Sequence, residues 1–311
     1  MEIKYGLIDN HIDVTNICHN ILKKQNIINI PSGDLLRPTY FGDPLCGVLK
    51  SIFIKNVQNN EIVEYDHTKN IYIDTNTNQV FTENIPEYIV LIFPDIIGKL
   101  REIQSHLKID FGSFNDEFPE QMMAVSYLNG NEKILEIGGN IGRNSLIIAY
   151  ILSQKNNTQF VSLECDPNIA RQLEHNRNLN NLNFMIESSA LSKRKLIQKG
   201  WDTIESDILL DGYTSVQTIT LDELNTKYNI PFDTLIFDCE GAFYCILMDM
   251  PEILNNINLI IMENDYHNID HKNYIDTILK QNNFYVDYSE RGGWGCCYNN
   301  FFEVWKRGLS T

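Results

Sequence analysis

The sequence predicts an α/β fold on a parallel sheet, preceded by a smaller β-rich domain, and three observations lead to that expectation. From residue 133 onward, short apolar runs alternate with segments of helical length. The runs KILEI, FVSLE, FMIES, TLIFD and LIIME lack clean polar alternation, as expected of strands buried on both faces of a parallel sheet. Before residue 95 the chain instead holds short strand-like runs punctuated by turn signals.

Taken in order, GVLKSIFIKNV and NIYIDTN read as strands, and PSGD, FGDP and DTNTNQ read as turns; residues 1–95 form the accessory module. In PDIIGKLREIQSHL, Ile96, Ile97, Leu100, Ile103 and Leu107 recur at helical spacing. A second helix, NDEFPEQMMAVSYLNG, closes on Asn129 and Gly130. These two helices open a domain that covers residues 96–311. Between its strands lie three more helical segments, GRNSLIIAYILSQ, PNIARQLEHNRNLNN and YCILMDMPEILNN. NFYVDYSE and CYNNFFEVW are expected to add a final hairpin at the sheet edge. No internal repeat or low-complexity tract interrupts this order.

Charge and composition narrow the function classes. With 25 Lys+Arg against 41 Asp+Glu and a net charge of −16, the surface repels phosphate backbones, and nucleic acid is not an expected partner. No apolar run reaches the ~18 residues of a membrane span. The opening MEIKYGLIDNHIDV has neither a basic nor an uninterrupted apolar region, so a standard secretion signal is not expected. Seven cysteines without a C-x-x-C pair read as reduced thiols, and the expected location is cytoplasmic.

The stretch KILEIGGNIGRNSLIIAYIL holds the first candidate site. A strand stopping at Glu136 and turning through Gly138, Gly139 and Asn140 into a helix near Gly142 brings backbone N–H groups and a helix N-terminus to a ligand. Dinucleotides and S-adenosylmethionine both use such a turn. The G-x-G-x-x-G order of the dinucleotide fingerprint fails here. Glu136 would repel a pyrophosphate but pair with the ammonium of a methionine moiety. Glu164, closing FVSLE, is placed to accept both ribose hydroxyls. Glu187, Ser188 and Ser189 close the third strand, with Ser189 placed over an adenine ring.

With these pieces in order, LEIGGNIG, LECDPNIARQLEHNRNLNN, SALS, TITLDEL and LIFDCEGAFYCILMDM resemble the FkbM-type S-adenosylmethionine-dependent methyltransferases over residues 110–265. The resemblance implies a Rossmann-like seven-stranded class I methyltransferase core and O-methylation, often of a sugar or polyketide hydroxyl. It implies that Glu136, Gly138, Asn140 and Gly142 contact the methionine end, that Glu164 contacts the ribose, and that Asp238 and Glu240 lie at the catalytic face. Two departures stand out: Glu136 replaces the usual Asp, and Phe243 replaces a second acidic residue. YGLIDNHIDVT and YFGDPLCGVLKSIFI resemble a small β-rich accessory module over residues 5–55.

Methyl transfer to a hydroxyl needs a base within hydrogen-bond reach. Asp238, Glu240 and the MENDYHNIDH cluster supply candidates, and His267 is the first choice because imidazole exchanges protons near neutral pH. Asp238, Glu263 and Asp265 are candidate Mg²⁺ ligands; His267 and His271, four apart, suggest zinc only with a third ligand that the spacing does not place. In ERGGWGCCYNN, Trp294 reads as a core residue in a turn rather than as a lid. The reading is a two-domain enzyme methylating a hydroxyl of a sugar or glycan, with no membrane partner, and a homo-oligomer left open. Its rivals are methylation of a natural-product or lipid-linked hydroxyl, a non-catalytic carbohydrate-binding adaptor, and a dinucleotide reductase.

Overall fold

The structure is a computed structural model that describes residues 1–33, 36–55, 61–92 and 95–308. It divides into two compact units, Met1–Asp95 and Ile96–Thr311.

The first unit consists of two four-stranded antiparallel sheets. One orders Asn10–Asp13, Glu2–Leu7, Ser51–Lys55 and Ile62–Tyr65; the other orders Lys23–Lys24, Ile27–Ile30, Ile71–Asp74 and Gln79–Phe81. Strand alternation sends Ile3, Tyr5, Ile28, Ile30, Ile52, Ile54, Ile71 and Ile73 into one shared core. Arg37 is wholly buried and donates to the carbonyls of Pro31, Asp66 and Lys69, tying three loops together. The expected FGDP turn begins in a short helix, Arg37–Phe41, which ends at Gly42 with φ +76°. Asp34 of PSGD, Asn56 and Val57 of the first strand run, and Pro94 of the first helical run lie outside the described residues.

The second unit holds a seven-stranded sheet. Its strands are β1 (Ile134–Ile137), β2 (Phe160–Leu163), β3 (Met185–Glu187), β4 (Thr234–Phe237), β5 (Leu259–Glu263), β6 (Phe284–Glu290) and β7 (Phe302–Arg307). They are ordered β3-β2-β1-β4-β5-β7-β6, with β1 to β5 parallel and β7 antiparallel to both neighbours. The five apolar runs are thus the five parallel strands. The closing hairpin is also present, but its second strand starts only at Phe302, because Gly295–Asn300 form a 3-10 turn.

Among the described residues seven helices flank the sheet: α1 (Ile96–Ser105), α2 (Phe118–Tyr127), α3 (Arg143–Ser153), α4 (Pro167–Leu179), α5 (Leu221–Tyr228), α6 (Phe243–Asp249) and α7 (Ile269–Gln281). Asp166 caps α4 by accepting from Asn168 N–H, and Thr220 with Glu223 forms a capping box on α5. The single helix expected over residues 244–256 is broken. Pro251 lacks the N–H to continue α6, so Pro251–Leu254 forms a separate 3-10 turn.

The two faces of the sheet have different covers. Ile134, Phe160, Ile236 and Ile261 pack with α1, α2, α3 and Leu173 of α4; Leu135, Ile137, Leu235 and Phe237 pack with α5, α6 and α7. Helices after β1 and β2 therefore lie on one face and those after β4 and β5 on the other. The chain switches direction between β1 and β4, where open α/β sheets bind ligands at strand carboxyl ends.

Candidate functional site

A cavity of about 680 Å³ opens at that switch point, a size suited to a small-molecule ligand. Ile137, Gly138 and Asn140 reach it after β1, Glu164 after β2, Ser189 after β3, Asp238 and Glu240 after β4, and Asp265, Tyr266 and His267 after β5.

Two glycines of the β1 turn are required by close approach. A Cβ on Gly138, at φ +93°, would sit 1.6 Å from the Asp238 carbonyl oxygen; one on Gly139 would sit 2.1 Å from Ser162 Oγ. The turn thus lets the β1 and β4 loops touch. Its amides are spent internally, contrary to the expectation that they face a ligand. Gly138 N and Gly139 N donate to Leu163 O, at 3.0 and 2.8 Å, and Gly142 N donates to Gly139 O at 2.9 Å. Asn140 N donates to Glu164 Oε2 at 2.9 Å, and Ile141 N to Asn140 Oδ1 at 2.8 Å. A pyrophosphate would find none of these five amides free.

Glu136 departs from its expected place. Strand alternation turns it away from Leu135 and Ile137, onto the face of α3, where it is 2% exposed. Its Oε2 accepts from the hydroxyls of Ser145 and Ser162, and burial raises its carboxyl to about 7 despite those hydrogen bonds. Glu136, Gly139 and Gly142 shape the turn from below; Gly138 and Asn140 are the turn residues on the cavity wall.

Glu164 faces the cavity with acceptor capacity to spare. Its Oε1 accepts from Asp166 N at 2.8 Å and its Oε2 from Asn140 N at 2.9 Å, which leaves each oxygen a second lone pair. Burial pushes its carboxyl up, and the two backbone N–H groups oppose that shift. Ser189 is buried at the wall and donates to Glu187 Oε1 at 3.0 Å, while Glu187 Oε2 takes Lys227 and Tyr228.

The floor under β4 and β5 is acidic. Asp238 is raised well above the ordinary carboxylate range by burial and by the charges of Glu117, Glu120, Asp265 and Glu240. Burial and the Glu240 charge push Asp265 up to about 7, although it accepts from Gly241 N at 2.7 Å. Burial, a hydrogen bond with the Glu120 carboxyl and neighbouring charges push Glu263 up to about 12. Glu240, at φ +50°, is exposed; partial desolvation raises its carboxyl and nearby His267 lowers it.

His267 lies at the exposed rim, its ring 4.6 Å from that of Trp294. Trp294 is 41% exposed and so is not the core residue expected. His271 does not pair with His267 around a common point: it stacks on Tyr244 at 3.9 Å and 6°. Arg194, the one arginine on the wall among the described residues, is committed to a bidentate pair with Asp249 and a bond to Glu205.

A second wall escaped the sequence reading. Leu196–Lys199, Asp202–Glu205 and Thr214–Val216 form a three-stranded antiparallel flap between β3 and α5. Lys199 pairs with Asp202, so Gly200 and Trp201 are the two turn residues, with Gly200 at φ +61° as a type II′ turn asks of its first residue. Trp201 is 65% exposed and borders the cavity with Gln198 and Thr203. The signal was present in LIQKGWDTIE, two short runs around a Gly-x turn.

No family model and no curated protein matches the chain. Solved structures do resemble it. An O-methyltransferase from Bacillus cereus in complex with SAH is 17% identical over 71% of this chain and 96% of its own, with a TM-score of 0.40. A methyltransferase from Pyrococcus furiosus is 13% identical over 69% and 97% of the two chains, with a TM-score of 0.37. A protein of the NADB-Rossmann superfamily from Streptococcus agalactiae is 12% identical over 62% and 69%, with a TM-score of 0.38.

Proposed function

We propose that the chain is an S-adenosylmethionine-dependent O-methyltransferase of the FkbM type, acting on a hydroxyl of a nucleotide-linked sugar or a glycan. One observation supports this above all: several carboxylates line the cavity, Arg194 on its wall is already paired, and the amides of its glycine turn are spent. Beside the glycine turn such a site disfavours a pyrophosphate and suits a ligand with a sulfonium, an ammonium and a ribose diol.

In this reading Glu164 takes the ribose hydroxyls, Ser189 lies beside the adenine, and Gly138 and Asn140 border the methionine end. Asp238 and Asp265 face the sulfonium side of the floor. The cofactor supplies an activated methyl group; the protein's part is to hold the acceptor oxygen in line with it, which can supply much of the rate. His267 takes the hydroxyl proton, and neighbouring Glu240 stabilises the imidazolium that results. Trp201 and Trp294 give the rim two exposed aromatic faces for a sugar ring, with Gln198 and Thr203 as polar partners. An acceptor carrying an apolar segment is the second reading, favoured by the exposure of Ile208, Leu209 and Leu210 on the flap connection.

The test is calorimetric titration with S-adenosylhomocysteine and, separately, NADH, followed by labelled-methyl transfer to a panel of sugar nucleotides and free glycans. Micromolar binding of the homocysteine ligand alone, with label appearing on a sugar, is the expected result. NADH binding, or binding of neither ligand, would overturn the proposal.

A further inference from the structure

Two thiols lie side by side behind the rim of the cavity. Cys296 and Cys297 are neighbours in the 3-10 turn Gly295–Asn300, and their Sγ atoms are 3.8 Å apart. Both are free, Cys296 exposed and Cys297 wholly buried. The turn therefore presents both sulfurs to one side, where side-chain rotation and a local adjustment of the main chain can join them. Gly295, at φ +74°, precedes the pair and supplies the freedom for that adjustment.

An independent observation ties the pair to the cavity. Cys296 Sγ donates to the Tyr266 carbonyl at 3.0 Å, and Tyr266 and His267 both line the cavity. Two residues before Cys296, Trp294 holds its ring against that of His267. The thiol turn and the rim histidine thus meet through a main-chain hydrogen bond and through a ring contact. The two cysteines also differ in reach. Cys296 is open to a reagent from solvent, whereas burial pushes the Cys297 thiol up to about 11 and shields it from over-oxidation.

We infer that Cys296 and Cys297 are a modification site, closing reversibly into a vicinal disulfide that acts on the rim through Tyr266. The oxidant is a low-molecular-weight disulfide. The Cys296 thiolate, its proton lost to water, attacks one sulfur of that disulfide, forms a mixed disulfide and expels one thiolate. Cys297 then gives up its proton and attacks Cys296 Sγ; the protein S–S bond forms as the mixed one breaks, and the second thiolate leaves. The two expelled thiolates take up the two protons, so the protein loses two hydrogens and the small disulfide becomes two thiols. Adjacent Cα atoms are about 3.8 Å apart, closer than the roughly 4.4–6.8 Å of ordinary disulfides, so the closed bond is strained and readily reduced. Once bonded to Cys297, Cys296 Sγ has no proton to give to the Tyr266 carbonyl. The rim then loses one of its anchors. The site stands on the two sulfurs and does not depend on methyl transfer being the reaction.

The experiment equilibrates the full, reduced chain with glutathione at graded ratios of oxidised to reduced form, quenches in acid, alkylates the remaining thiols in denaturant and digests with trypsin. Mass spectrometry then reads the peptide 292–306, bounded by Arg291 and Lys306 and carrying both cysteines. Loss of two hydrogens from that peptide, with neither cysteine alkylated and full reversal by dithiothreitol, is expected. C297S should stop with glutathione held on Cys296, and C296S should take up none on this peptide; the wild-type measurement decides the proposal if either variant fails to fold. Ring resonances of His267, assigned by their loss in H267Q, should shift between the reduced and oxidised chains. Two alkylated cysteines at every ratio would overturn the inference, as would glutathione retained on wild-type Cys296 as the end product or a bond from either cysteine to a third. Unmoved His267 resonances in a chain carrying the bond would overturn its link to the rim.

Discussion

Replacing Glu164 by Gln keeps its shape and removes one acceptor oxygen. In the native chain Oε1 and Oε2 each hold a backbone N–H, from Asp166 at 2.8 Å and Asn140 at 2.9 Å. Whichever way the amide turns, its NH₂ faces one of those donors. With a ribose diol bound there as proposed, one hydroxyl would also lose its acceptor, and the other would face a neutral oxygen in place of a charged one. Hydrogen bonds to a charged group are worth about 1.5–3 kcal/mol each, so two amount to roughly 3–6 kcal/mol. At about 1.4 kcal/mol per factor of ten, S-adenosylhomocysteine should bind Glu164→Gln at least ~100-fold more weakly. Thermal stability should change less, since the substitution also removes a buried carboxylate that burial disfavours. Calorimetry on both proteins at neutral pH reads the difference, and NADH serves as control because a nicotinamide cofactor offers the same diol. A Kd indistinguishable from wild type would refute the assignment of Glu164 to the ribose.

Three further outcomes are expected. Glu136 binds its proton more tightly folded than unfolded, so its contribution to stability is full below the ordinary value of 4.5 and is lost as pH rises through about 7. That loss is about 3 kcal/mol at 1.36 kcal/mol per unit, and melting curves of Glu136→Gln should fall less steeply with pH than those of wild type. Gly138→Ala places a methyl group on the Asp238 carbonyl at a positive φ; overpacking and backbone strain together should cost about 2–5 kcal/mol in urea unfolding. Trp201→Ala, at an exposed turn, should leave stability within about 0.5 kcal/mol, leave S-adenosylhomocysteine binding intact and raise KM for the acceptor; unchanged KM would remove the flap from acceptor binding.

The parallel strands were legible because each is buried on both faces and so is written as an unbroken apolar run. Helices were legible where apolar residues recur at helical spacing, as at Ile96–Ser105, whereas Leu221–Tyr228 and Ile269–Gln281 were not read as helices although Thr220 and Asn268 cap them. What could not be read was direction. The sequence places Glu136 beside the glycine turn, but only the register of β1 in the sheet decides which face it enters. The flap was missed for a related reason: its strands are largely solvated, so Leu196–Lys199 and Asp202–Glu205 carry no apolar period strong enough to announce them. Glu120 lies 118 residues or more before Asp238, Glu263 and Asp265 in the chain. Nothing local in FPEQMMAVSY marks one glutamate as the member of a distant cluster.

The flap pairs its three strands with one another, apart from the seven-stranded sheet, and its base is pinned by the short parallel pairing of Ala190–Leu191 with Thr218–Ile219. That attachment separates inheritance of the two halves of the cavity. The wall bearing Glu164 and the glycine turn is locked into the register of β1 and β2, so a change there propagates through the core. The wall bearing Trp201 is held by that clasp of two residue pairs and by Arg194, which joins its Glu205 to Asp249 of α6; it shares no strand with the main sheet, so its turns can be lengthened or shortened without moving any strand of that sheet. A lineage carrying this chain could thus vary the flap side of the cavity while keeping the side set by β1 and β2, one loop at a time.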